Sequence, residues 1–461
     1  MFIEFQVANF RSFRDLQKFS MQASPLRTND GGLEENNVFK SYDLRLLKTK
    51  AIYGGNASGK SNFIKALSAF CHIVNKSVSE ENFTQVIWEN RFQLISDWDE
   101  EPVFFQLTFL HNEKVYRYGF QILRSKIVYE WLFAQKGNTE EECFMRSSND
   151  FKISKEVFGG SGELMMEQAL SGNNELFRTD SLFLTAGALS ANKLLTNLRN
   201  EIKNIGIIDG ISDEVASEIG MFYLQKGSSE QKRALKNLIS SADTGIEDLE
   251  MEEVEDDNVR KQFFDESPYS TGDIHNFKLR KLISFHSIYD ENGHFKNKLR
   301  VSFRQWESEG TAKLFGIGAL ILEKLHSGTT LAIDEFDARF HPNLTLKIVN
   351  LFNHKKTNPL NAQLIFVTHD TGLLRRAELR RDQICFVDKD KYGISTMKTL
   401  IEFTGVRKDA SYEKEYLNGS YGAVPFLDEM DWLITQNLKQ GLHRSYRLNI
   451  LFHKKHLCVL L

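Results

Sequence analysis

Gly54-Gly55-Asn56-Ala57-Ser58-Gly59-Lys60-Ser61 has the spacing G-x-x-x-x-G-K-[ST], with two glycines, a lysine and a hydroxyl at set places. Gly54 and Gly59 free the backbone to curl, so that successive N–H groups of the run point inward at phosphate oxygens. Lys60 carries a mobile positive charge to the outer phosphates of a nucleoside triphosphate, and the Ser61 hydroxyl is a ligand for Mg²⁺. All eight residues are therefore candidate contacts to a Mg²⁺-bound triphosphate. Such a site needs a carboxylate for the metal and a group to handle water. Thr329–Glu335 (TTLAIDE) supplies both. An apolar strand ends at Asp334, which binds Mg²⁺ directly or through water. Glu335 follows at once, placed to orient or deprotonate water for attack on the γ-phosphate.

Two further clusters bear on the same chemistry. Val367-Thr368-His369-Asp370 ends another apolar run, where His369 can hydrogen-bond the γ-phosphate or fix the water. Glu307-Ser308-Glu309-Gly310-Thr311 opens a helical run, Ala312–Leu325. There Ser308 and Gly310 offer an anion the N–H groups, hydroxyl and dipole of a helix start, or form an N-cap and nothing more.

These residues need elements to hold them. Leu46–Tyr53 reads as the strand before the glycine loop. After it, Phe63, Ile64, Leu67, Phe70, Cys71 and Val74 mark one face of a helix whose N-terminus meets the phosphate. Leu331–Ile333 and Leu364–Val367 are short and unbroken, the pattern of strands buried on both faces. Phe2–Asn9 alternates. Phe104–Leu110 and Val115–Leu123 predict a hairpin around His111–Lys114, with Ile127–Gln135 as a third strand. Leu194–Ile205 and Ser229–Ser240 read as helices. Ile246–Asp257 is dense in acid and reads as a solvated strand with a charged outer face rather than an acidic docking tail. The expected division is an N-terminal lobe at 1–160, a mainly helical insertion at 161–245, a C-terminal lobe at 246–440 and a tail at 441–461.

A chain of 461 residues exceeds one core of ordinary size. Hydrophobic content of 41% and charged content of 26% fit a soluble globular protein, and 36 phenylalanines against 6 prolines argue for a packed interior. A net charge of −4 excludes whole-molecule attraction to nucleic acid and leaves a local basic patch open. Cys71, Cys143, Cys385 and Cys458 form no C-x-x-C pair and read as reduced thiols of a cytoplasmic protein. Met1–Phe10 lacks the pattern of a signal peptide. The longest apolar stretch, Leu314–Leu322, is too short to cross a bilayer, so no membrane partner is expected.

The order of phosphate loop, long interval, Ser-x-Gly helix start, Asp-Glu strand and histidine strand resembles the ABC-type ATPase heads of the RecF and SMC group. Asn9-Phe10-Arg11-Ser12-Phe13 adds to the resemblance, since such a segment lies beside the nucleotide in that group and its arginine can contact phosphate. Narrower still, several motifs look like prokaryotic ATP-binding proteins of the RloA and AriA type. They are Ser308-Glu309-Gly310-Thr311, Asp334-Glu335-Phe336-Asp337 with His341-Pro342, Thr368-His369-Asp370, Arg381-Asp382-Gln383-Ile384 and Tyr416–Pro425. The resemblance implies an α/β P-loop fold of the ABC type, with a mixed sheet and a helical insertion. It implies ATP and Mg²⁺ as ligands, hydrolysis by Glu335, and two heads pairing around ATP with Ser308 and Gly310 acting in trans. It also implies phage defence, sometimes beside a nuclease partner; a DNA-binding repair ATPase is the alternative. The signature is Ser-Glu-Gly-Thr, not Leu-Ser-Gly-Gly-Gln. Ser181–Asn192 lies where a lobe-coupling glutamine would fall and contains none.

Overall fold

Alternation in Phe2–Ala8 makes it a strand with an apolar inner face, and the same pattern runs through a seven-stranded antiparallel sheet. Its members are β1 (Phe2–Ala8), β2 (Gln17–Ser20), β6 (Val103–His111), β7 (Lys114–Leu123), β8 (Lys126–Lys136), β9 (Thr139–Ser147) and β10 (Phe151–Ile153), in the order β10-β9-β8-β7-β6-β1-β2. The expected hairpin and third strand are β6, β7 and β8. The computed structural model describes residues 1–25, 31–96, 98, 100–137, 139–147, 150–159, 164–165, 167, 178–210, 213–253, 280–406 and 411–424. The 441–461 tail, Cys458 and the last acids of the 246–257 run lie outside them. Met1–Ala423 clusters as one unit.

The expected strand at Leu46–Tyr53 is two strands. β4 (Leu44–Leu47) pairs with β3 (Val38–Ser41), whereas β5 (Thr49–Gly54) joins a different sheet. The chain changes sheets at Lys48, whose amide donates to Asn37 O at 3.0 Å and whose buried ammonium donates to Asn353 O at 3.0 Å. The second sheet is mixed, as expected, in the order β11-β15-β16-β5-β17-β18. It comprises β11 (Gly206–Ile208), β15 (Thr330–Ile333), β16 (Gln363–Val367), β5, β17 (Ile384–Lys389) and β18 (Ser395–Thr399), all parallel except β18. Every residue of β5, β15 and β16 is buried, which is why these runs lack polar alternation.

Helix α1 (Lys60–Lys76) lies between the two sheets. Phe5 of the antiparallel sheet meets Phe63 and Phe70 at ring distances of 6.0 and 5.5 Å, and Phe70 stacks on Phe120 at 5.4 Å. Ile52, Ala332, Ile365 and Val367 of the mixed sheet belong to the same core. Each fully buried phenylalanine there contributes roughly 1.5–3 kcal/mol, so the helix that starts at the glycine loop is anchored on both sides. Among the described residues, no helix is long and apolar enough to cross a membrane.

Between β10 and β15 come α3 (Phe183–Leu189), α4 (Lys193–Lys203), α5 (Asp213–Lys226) and α6 (Ser229–Ser240), after the short α2 (Phe83–Glu89) near the N-terminus. A capping box of Ser228 and Gln231 starts α6. Helix α7 (Glu309–Ser327) packs on α5 and α6; a Cβ at Gly220 would lie 2.3 Å from the Phe315 ring. The acidic run forms β12 (Asp248–Glu253) beside β13 (Arg280–Tyr289) and β14 (Phe295–Ser302). Its Glu252 pairs with Lys281 and Arg300. The Arg381–Ile384 motif is architectural: Gln383 Nε2 donates to Thr49 Oγ1 at 2.8 Å, and the buried Arg380 grips Asp382.

Glu130 ties the antiparallel sheet to the helices. It is fully buried on β8 and accepts the Tyr118 hydroxyl at 2.9 Å and the Phe183 and Leu184 amides of α3 at 2.7 and 3.0 Å, with Arg146 at 3.7 Å. Burial pushes its carboxyl pKa up, and Arg146 with these donors pulls it back. Glu130→Ala strands two amides and the Tyr118 hydroxyl and removes the counter-charge of Arg146, which keeps its bonds to Ser181 O and Arg178 O, and is expected to cost about 3–5 kcal/mol in urea denaturation; a loss near zero would show that Glu130 does not anchor α3.

Candidate functional site

The loop after β5 is shaped by close approaches that only glycine permits. A Cβ on Gly54 would lie 2.4 Å from Val387 O, and one on Gly59 would lie 2.4 Å from Ser395 Oγ and 2.8 Å from Ser12 Oγ. Gly59 also has φ +111°, in the region other residues avoid. Three segments support the loop from behind. Ser395 Oγ donates to Ser58 O at 2.5 Å, and Asn62 Nδ2 donates to Ser12 Oγ at 2.7 Å. Tyr416, on the helix Tyr412–Leu417, packs on Tyr53 and Phe386, lies within electrostatic reach of the Gly54 amide and donates to Ala423 O at 3.2 Å. The Tyr416–Pro425 motif thus acts on the glycine loop as far as it is described. Lys60 Nζ donates to Gly54 O at 2.9 Å and Gly55 O at 2.8 Å. Burial lowers its pKa, and Asp334 and Asp337 oppose this. The Ser58 hydroxyl is buried with no hydrogen-bond partner among the described residues.

The parallel register carries the other chemical residues to the same edge. Ile208 pairs with Ile333, Ile333 with Phe366, and Val367 with Ile52. The residues after these strands therefore emerge together. Asp334 is buried, lies within electrostatic reach of the Ser61 hydroxyl and accepts the Glu335 amide at 3.0 Å. Burial raises its pKa, while the Ser61 hydroxyl and the Glu335 amide lower it. A hydroxyl and a carboxylate side by side form a hard oxygen pair of the kind Mg²⁺ takes, so the residues fit that ion. Glu335 is exposed and has φ +47°. The His369 amide donates to the Asp337 carboxylate at 3.1 Å. Burial and then the Lys60 charge lower the His369 pKa, against Asp337, Glu335 and Asp334, which favours a neutral imidazole. Lys60, Ser61, Asp334, Glu335 and His369 thus form one constellation.

Arg11, Ser308 and Gly310 sit differently. Phe10 and Phe13 exchange two backbone bonds of 2.9 Å, with Arg11 at the exposed tip of that turn at φ +52°. Its side chain faces an open cleft of about 280 Å³ with Lys65, Ser68 and His72 of α1, Asn90 and Asp209; the neighbouring Ser12 reaches the glycine loop. Ser308 caps α7, its Oγ accepting from Thr311 N at 3.2 Å, so the N-cap reading holds whatever else it does. Gly310 packs on the segment after Glu335: a Cβ there would lie 2.8 Å from Arg339 O. No hydrogen bond joins Ser308 or Gly310 to Gly54–Ser61 of the same chain among the described residues.

Two residues escaped sequence reasoning, and a third, Asp337, was read only as part of a motif. Asp209 follows β11, the strand beside β15, and Asp334 N donates to Ile208 O at 2.7 Å, so Asp209 stands next to Asp334 on the sheet edge. Ser181–Asn192 instead forms the buried α3, where Thr185 Oγ1 donates to Val74 O of α1 at 2.6 Å. A three-residue strand is too short to leave a pattern. Asp337 and Lys313 act through backbone partners, which no spacing reveals.

Residues 51–375 match the family described as "AAA domain, putative AbiEii toxin, Type IV TA system". Among solved structures, the SMC head domain from Thermotoga maritima is similar to this chain. It has 12% identity and a TM-score of 0.40, over 86% of this chain and 98% of that one. No curated protein matches. Lys60→Ala is expected to weaken binding of a fluorescent ATP analogue about 10- to 100-fold, the loss of one charge-assisted contact, with an unchanged circular dichroism spectrum. Unaltered affinity would remove the glycine loop from nucleotide binding.

Proposed function

This chain belongs to that AAA-domain family, and from that premise we propose that it binds MgATP at Gly54–Ser61 and hydrolyses it to ADP and phosphate. The observation that carries the reading is the buried Asp334 carboxylate within electrostatic reach of the Ser61 hydroxyl, with Glu335 next in the chain and Lys60 and His369 in the same electrostatic neighbourhood. The amides of Gly54, Gly55, Asn56, Ala57, Ser58 and Gly59 cradle the phosphates, and Lys60 turns its charge to the outer two. Ser61 and Asp334 hold Mg²⁺, which when bound neutralises phosphate charge. Glu335 takes a proton from water as the water oxygen bonds to the γ-phosphorus. The bond from that phosphorus to the bridging oxygen breaks, and ADP leaves. A neutral His369 donates its N–H to the γ-phosphate or holds the water. Arg11 is assigned to the nucleotide's outer side.

Triphosphate with Mg²⁺ stays anionic, so a second helix N-terminus closing over it is stabilising. Ser308 and Gly310 of a second copy are assigned that place, giving a homo-oligomer held by ATP and released by hydrolysis. The resemblance to the RloA and AriA type and the toxin–antitoxin wording of the family support an ATPase or sensor subunit of a prokaryotic anti-phage system. It would gate an effector such as a nuclease, in the cytoplasm. The alternative is a DNA-clamping ATPase. Lys296, Lys298 and Arg300 alternate along β14 as a backbone-tracking stripe would, but Lys298 and Arg300 are already paired with Glu247 and Glu252.

Glu335→Gln is expected to keep ATP affinity while lowering kcat by about 10²–10⁴-fold, the worth of a positioned base, and to accumulate an ATP-dependent dimer in light scattering. Full hydrolysis by this variant would remove Glu335 from the water. A monomer with ATP bound would remove Ser308 and Gly310 from the second site.

A further inference from the structure

One lysine joins the first turns of α7 to the segment that carries Glu335. Lys313 Nζ donates to Glu335 O and to Ala338 O, both at 2.8 Å, and lies 5.0 Å from the centre of the Phe340 ring. The segment it grips is itself a tight coil, with Ala338 N donating to Glu335 O at 3.1 Å and Phe340 N to Asp337 O at 3.1 Å. Two of its residues, Glu335 and Arg339, hold positive φ angles of 47° and 67°, which such side chains adopt only when their surroundings impose it. Two more contacts bind the same surfaces. Glu309 pairs with Arg339 at 3.4 Å, and Gly310 approaches Arg339 O so closely that no Cβ fits. At its far side the segment holds Asp337 against the His369 amide. Residues 335–340 are therefore a node with α7 on one side and the histidine strand on the other.

We infer that Lys313 is a positioning residue that transmits engagement of Ser308 and Gly310 to the Glu335 of its own chain. This rests on the proposal that those two residues meet the triphosphate of a second copy. A shift of α7 on that docking moves the Lys313 ammonium, and the ammonium carries the Glu335 carbonyl with it. The peptide unit that sets the direction of the Glu335 side chain then turns. Each copy's water-activating carboxylate is thereby set by what the same copy binds in trans, and the two ATP sites of a dimer fire as a pair. A lysine suits this task because one charged group satisfies two carbonyls at once.

The test is steady-state hydrolysis over a range of MgATP concentrations by wild type, Lys313→Met and Lys313→Arg, with melting temperatures alongside. Lys313→Met is expected to keep KM within about threefold, to lose kcat about 10- to 100-fold, and to bring the Hill coefficient down to about 1. Lys313→Arg, which still offers charged donors, recovers most of kcat. With Glu335→Gln added, Lys313→Met still dimerises on ATP. Wild-type kcat and cooperativity in Lys313→Met would overturn the inference, as would equal loss in the Met and Arg variants in step with melting temperature. If Lys313→Met does not fold, Lys313→Gln, shorter and uncharged, supplies the same reading. A wild type without ATP hydrolysis would instead sink the proposed function, and a monomeric Glu335→Gln variant with ATP would sink the trans contact on which the inference stands.

Discussion

Parallel pairing of β11, β15, β16 and β5 in one register is the constraint from which the site follows. Because Ile208, Ile333, Val367 and Gly54 all approach the same edge, four unrelated stretches of sequence release their polar residues into one small volume. The glycine loop, Asp334 with Glu335, His369 and Asp209 are neighbours for that reason alone. The interior makes the register exclusive. Three strands without an exposed residue cannot slip by one position without presenting their partners to a different ladder.

Placing α1 between two sheets fixes the other half of the site. Its N-terminus must begin where β5 ends, and its phenylalanines lock it against β1 and β7. The approach is so tight that glycine is required at Gly54 and Gly59, and Ser12, Ser395, Val387 and Tyr416 fill the space behind them. Distant motifs such as Asn9–Phe13 and Tyr416–Gly422 are thus parts of one support, and the loop's shape depends on all of them. Glu130, Arg380 (through Ser24 O) and Gln383 play the same part away from the site, as buried polar clamps whose bonds join separate elements.

Much of this was legible in advance. Val115–Leu123, Leu331–Ile333 and Leu364–Val367 carried their burial in their composition, and the eight-residue loop, Asp334 and His369 were readable from type and spacing. What stayed hidden has physical causes. Leu46–Tyr53 carries Lys48, Thr49 and Lys50 between apolar residues, but nothing in that pattern places a change of sheet at Lys48, which depends on the distant Asn37 and Asn353. β11 is too short to show a period, and Asp209 was hidden with it. The contacts of Lys313 are to carbonyl oxygens, which every residue possesses.

The central claim is that Ser61 and Asp334 form a single metal site beside the glycine loop. Electron paramagnetic resonance of Mn²⁺ added with a non-hydrolysable ATP analogue tests it most directly. The account predicts one tightly held ion per chain, dependent on the analogue and lost in both Ser61→Ala and Asp334→Asn. Equal Mn²⁺ binding by the wild type and those two variants would contradict it.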